Sequence, residues 1–131
     1  MNITVDKPNP TEDTAMTDTL ELLQQLGITA NYNGFWYVQT AMEIVDLRNA
    51  RSIRVTKDLY PKIAERHGTS TQNVERGIRT VIGSCWDYGN RELLIQITAS
   101  NQKPTNAVFI ASLAAYLYLK RSYGATAVST K

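Results

Sequence analysis

The chain has 131 residues, 43% of them hydrophobic, and a formal net charge of +2. That length makes one domain the natural expectation, with a core of roughly two-thirds of the unfolded surface, and the small charge excludes the bulk-cationic mode of histone-like proteins, so any nucleic-acid contact needs a local patch. A lone cysteine, Cys85, excludes an internal disulfide, and a lone histidine, His67, leaves neither a histidine metal cluster nor a catalytic triad to assemble.

From the N-terminus, residues 1–16 carry Pro8, Pro10 and several polar groups with few apolar ones, and read as a flexible leader. A first helix is expected from Thr17 or Asp18, where Asp18 and Glu21 have capping-box spacing, to Gly27; Leu20, Leu23 and Leu26 give it an apolar stripe. A second is expected over roughly 34–49, burying Tyr37, Val38, Ala41, Met42, Ile44 and Val45. Ile53 and Val55 fall in a connecting segment.

The stretch from Tyr60 to Arg79 reads as a helix-turn-helix. Pro61 is tolerable in the first turn of its helix. Ile63 and Ala64 fall on that helix's buried side, and the small Ala64 lets a second helix cross at close range. Gly68 stands where the chain must leave the helix through a left-handed cap. Thr69, Ser70 and Thr71 offer hydroxyls to cap the next helix. Val74 and Ile78 pin one face of that helix to the core, while Gln72, Asn73, Glu75, Arg76 and Arg79 line the other with side chains suited to base edges and phosphates. The helix is expected to continue through Val81, Ile82 and Cys85 to Trp86, with Gly89 as its C-cap. A short helix over about 90–98 buries Leu93, Leu94 and Ile97. Thr105 and Asn106 then cap a last helix built on Phe109, Ile110, Leu113, Tyr116 and Leu117. The residues beyond Tyr123 read as a disordered tail, and the folded unit is taken as 17–122. No strand pair, repeat or low-complexity block is evident, so the expected class is all-α with about six helices. No apolar run approaches the roughly 18 residues of a membrane span, and a cytoplasmic protein is expected.

LYPKIAERHGTSTQNVERGIRTVIGSCWDYGN, followed by KPTNAVFIASLAAYL, resembles the C-terminal effector domain of the sporulation stage-zero A response regulators. The likeness covers roughly 17–120 and rests on four ordered pieces: Leu59-Tyr60-Pro61, Val74-Glu75-Arg76 with Ile78-Arg79, Trp86 with Gly89-Asn90, and Lys103-Pro104-Thr105-Asn106. It implies a six-helix, winged-helix-like response-regulator effector that binds double-stranded promoter DNA, with the fourth helix in the major groove. Glu75 and Arg76 match the family's base-reading pair and Arg79 a further DNA-contacting arginine. Asn73 stands where the family commonly has an arginine, and Gly77 where alanine is more usual, at up to about 1 kcal/mol of helix propensity. The resemblance also implies two copies on tandem boxes and RNA polymerase as a further partner, through the region 88–98. No receiver domain is found ahead of the effector, so control by phosphorylation in cis is not expected.

The expected DNA-contacting set is Ser70, Thr71, Gln72, Asn73, Glu75, Arg76, Arg79 and Lys103. Arg76 offers a donor fork to guanine. Glu75 would accept from cytosine or brace an arginine, Asn73 would pair with adenine or remain solvated, and Arg79 and Lys103 would meet phosphates. Ser70 and Thr71, at a helix N-terminus, suit a phosphate, although capping alone also explains them. His67 is assigned to the dipole at its helix end, and Cys85 to the core. No catalysis and no cofactor are expected. The alternative is a protein-interaction module that binds a full-length regulator or RNA polymerase without reading DNA.

Overall fold

The computed structural model describes residues 15–45 and 55–129. They form six α-helices and no strand. α1 (Ala15–Gln25) and α2 (Asn33–Ile44) come first. A single π-helical turn over Val55–Leu59 leads into α3 (Tyr60–His67), α4 (Thr71–Tyr88), α5 (Arg91–Thr98) and α6 (Asn106–Ser129). α4 is the central helix: α2, α3, α5 and α6 all pack against it, and α1 packs on α2. The core of α4 is Val74, Ile78, Val81, Ile82 and Cys85, all buried, at the three- and four-residue spacing of one helical face. Against it stand Phe35, Val38 and Ala41 of α2, Ile63 and Ala64 of α3, Leu94 of α5, and Phe109, Ile110 and Leu113 of α6.

Several boundaries differ from the sequence reading. α1 is already helical at Ala15, so Asp18 lies inside the first turn, where its carboxylate faces the positive end of the helix dipole instead of capping it. Leu22, outside the expected stripe, is as buried as Leu23 and Leu26. α2 ends at Ile44, five residues short of the expected end; residues 46–49 and Ile53 lie outside the described residues. α6 runs on to Ser129, past the expected end at Tyr123, through a stretch that lacks proline and contains Ala125 and Ala127. Most of the expected leader, residues 1–14, lies outside the described residues. Among the described residues no helix is long and apolar enough to cross a membrane.

Two close approaches fix the helix arrangement. Gly34 of α2 meets Gly77 of α4 backbone to backbone: a Cβ on Gly34 would overlap the Gly77 carbonyl and stand 2.8 Å from Val81 Cγ1. A Cβ on Gly77 would in turn lie 2.9 Å from Tyr37 Cε2. Gly77 is therefore not merely a weak helix residue; its missing side chain admits α2 and the Tyr37 ring. The second approach joins the end of α1 to the α4–α5 corner. There Asn90 N–H donates to Leu26 O at 3.0 Å, and the Asn90 carboxamide both caps α5, accepting from Leu93 N–H at 3.1 Å, and donates to Gln25 O at 3.3 Å.

Cys85 lies wholly inside this packing, its Sγ 3.9 Å from Asn90 O. Burial pushes its thiol up to about 11, the Asn90 carbonyl contact opposing the shift. The folded state thus holds the proton more tightly than the unfolded chain. The associated stability is complete below the ordinary value of 9.0 and is lost as pH rises through about 11. At pH 8 the folded protein is expected to react with an aromatic disulfide reagent at least tenfold more slowly than the urea-unfolded protein. Equal rates would show that the thiol is not packed.

Candidate nucleic-acid interface

The turn between α3 and α4 is set by local chemistry. Gly68 takes the left-handed conformation (φ 61°, ψ 41°), and the N–H groups of Gly68 and Thr69 return to Glu65 O and Ala64 O. An L-residue is disfavoured at that φ, although nothing crowds a Cβ there. Ser70 is the N-cap: it is extended, and its Oγ accepts from Asn73 N–H at 3.1 Å. Of the three hydroxyls offered, Ser70 supplies the cap. Thr71 is then the first helical residue and is exposed with Gln72, so the first-turn N–H groups and the dipole end face solvent beside the two side chains.

The exposed face carries a short polar chain. Asn73 Nδ2 donates to Thr69 Oγ1 at 3.0 Å, and Arg76 Nη1 donates to Asn73 Oδ1 at 3.4 Å. Asn73 therefore uses both ends of its carboxamide, one toward the turn and one toward Arg76. One turn along, Glu75 and Arg79 form an i,i+4 ion pair at the half-exposed edge of the helix. Such a surface pair contributes no more than about 1 kcal/mol, and the carboxylate orients Arg79 while offsetting part of its charge. Positions 72, 76, 79 and 83 follow one another along a single stripe of α4. At its far end Lys103, from the α5–α6 loop, brings Nζ within 4.0 Å of where a Cβ on Gly83 would stand. All eight expected residues thus lie on α4, its N-cap or its flank.

Three residues with a positioning role were missed or read differently. His67 does lie in the last turn of α3, but its Nε2 is hydrogen bonded to Thr40 Oγ1 at 2.8 Å and its ring meets the Tyr37 ring edge-on at 5.1 Å. It ties α3 to α2, a role beyond the dipole contact expected of it. Asn106 was read as a cap with Thr105. Thr105 alone does that, accepting from Val108 N–H at 3.2 Å, while Asn106 Nδ2 donates to Tyr60 Oη at 2.8 Å and to the Glu75 carbonyl at 3.0 Å. Tyr60 is buried, and that burial pushes its phenol above the ordinary value, with the Asn106 hydrogen bond partly opposing it. No sequence signal distinguished these roles, since each depends on a partner remote in the chain.

Residues 19–117 match the family model described as Sporulation initiation factor Spo0A C terminal, most of the chain, from within α1 to the middle of α6. That family is a DNA-binding effector domain and is not enzymatic.

Proposed function

This chain belongs to the Spo0A C-terminal family, and from that premise we propose that it is a sequence-specific regulator that reads promoter DNA with α4. One observation carries the reading. The same helix is buried along Val74, Ile78, Val81, Ile82 and Cys85 and presents Gln72, Asn73, Arg76 and Arg79 outward, beside a capped N-terminus. A guanidinium at Arg76, steadied by Asn73, suits the O6/N7 edge of guanine; Glu75 sets Arg79 toward a phosphate; Ser70, Thr71 and Lys103 suit the flanking backbone. In this reading Asn73 steadies Arg76 in place of the arginine the resemblance would put there.

A helix this short reads a few base pairs, so two copies on tandem boxes supply useful affinity and site length. Tyr88, 89% exposed at the end of α4, and the outer face of α5 form the surface offered to RNA polymerase. The test is enrichment of duplexes from a randomised pool. Recovery of a defined motif supports base reading, and an unenriched pool with folded protein refutes it.

Arg79→Ala separates phosphate contact from base contact. It should weaken binding to cognate and scrambled duplexes alike, and lower the slope of log affinity against log salt by about 1. An unchanged slope would remove Arg79 from the backbone contacts.

A further inference from the structure

At the start of α6, just ahead of the packed Phe109 and Ile110, one side chain reaches the backbone of α4. Asn106 spends both carboxamide hydrogens across three helices: one goes to Tyr60 Oη at the start of α3, the other to the backbone carbonyl of Glu75 in α4. The opposite amide orientation would set two oxygens against each other at Glu75, so the hydrogen-bond network itself fixes which end faces inward. The bonded carbonyl belongs to a residue whose side chain holds Arg79, and Arg76 is the next residue along. The N-terminal half of α4 is the more exposed half: Thr71, Gln72, Asn73, Arg76 and Arg79 are exposed and Val74 and Ile78 are its buried contacts, whereas Val81, Ile82 and Cys85 anchor the second half.

We propose that Asn106 is a positioning residue for DNA recognition, a latch from α6 that fixes the pitch of the first half of α4 so that Arg76 meets its base in register. This rests on the DNA-reading role of α4, but the latch itself can be observed without DNA. A hydrogen bond to a backbone carbonyl acts directly on the helix axis, adding to the packing of Val74 and Ile78 on the same half of α4. The same junction carries Lys103 to the other end of the exposed stripe, so polar side chains of the α5–α6 loop and of α6 lie at both ends of it.

The experiment compares Asn106→Ala with Tyr60→Phe, which leaves the Glu75 carbonyl bond in place. Amide hydrogen exchange on the DNA-free protein is expected to rise about tenfold within 71–79 in Asn106→Ala, with the second half of α4 unchanged. Tyr60→Phe should change it little. On DNA, Asn106→Ala should lower the ratio of cognate to scrambled affinity about tenfold, the low end of one lost base contact, while the salt slope stays at the wild-type value. Exchange that rises uniformly over all helices, or not at all, would overturn the latch, as would an unaltered affinity ratio in a wild type that discriminates. If the wild type itself shows no preference between duplexes, the DNA-reading role fails, and the exchange pattern alone decides whether Asn106 fixes α4.

Discussion

Arg76→Ala is expected to lose about 1–3 kcal/mol of discrimination between the selected duplex and a scrambled one, roughly 5- to 150-fold in the ratio of dissociation constants. The substitution removes an exposed side chain whose one hydrogen-bond partner among the described residues is Asn73, so the fold should be untouched and thermal unfolding should coincide with the wild type. Arg76→Lys sharpens the result. Lysine keeps the charge but not the planar fork, so binding to the scrambled duplex and the salt slope should be preserved while the preference falls almost as far as in the alanine variant. Anisotropy titrations on both duplexes at two salt concentrations read all of this. Equal losses on both duplexes would make Arg76 a phosphate contact and leave base reading to Asn73 and Gln72. No loss on either would place the reading face elsewhere.

Asn73→Ala refines the same argument. If Asn73 steadies Arg76, its loss produces a milder form of the arginine phenotype, at the same base position; if Asn73 reads a base itself, preference relaxes at a different position. The hydrogen bond to Thr69 favours the first, because an amide nitrogen already donating to the turn is less available to adenine N7.

The turn and α4 were legible because their determinants are local. A glycine in left-handed conformation, a serine three residues before a bonded amide, and apolar residues four apart are all contained within one stretch of chain. The resemblance added roles that periodicity could not, and the family match agrees with the family it named. What stayed hidden is what the packing creates at a distance. Asn106 looks like an N-cap residue beside another, and only the structure shows that Thr105 suffices and frees it to cross to α3 and α4. Phe35 and Leu22 were left out of the expected core because burial on the outer side of a stripe depends on which neighbour arrives there. Glycine is the extreme case. It has no side chain to make a pattern, so Gly34 was read as a helix start and Gly77 as a loss of propensity, although together they are the contact on which α2 and α4 cross.

That crossing carries the largest expected effect on stability. Helix propensity alone makes Gly34→Ala favourable by about 1 kcal/mol. Against it stands a Cβ placed on the Gly77 carbonyl, 2.7 Å from its carbon, with Val81 Cγ1 at 2.8 Å on the other side. Two of those three neighbours are backbone and the third is fully buried, so relief requires moving α2 away from α4 as a body and loosening Phe35, Val38 and Ala41 from the core. Overpacking of this kind costs about 3 kcal/mol or more once the whole interface must shift. Net destabilisation should therefore be at least about 2 kcal/mol, lowering Tm by on the order of 6–10 °C in a domain of this size. Gly77→Ala is the informative companion. Its Cβ meets the Tyr37 ring at 2.9 and 3.0 Å, a side chain that can give by a few tenths of an ångström. The same propensity gain then offsets more of the cost, and Tm should fall by less than half as much. The two are not additive, because once α2 has moved away from α4 the second methyl finds room. Thermal unfolding followed by circular dichroism decides it: a Gly34→Ala protein that melts with the wild type would mean the two backbones do not touch. A Gly77→Ala loss equal to the Gly34→Ala loss would mean the Tyr37 ring is as rigid as backbone, which its edge-on contact with the His67 ring would then explain.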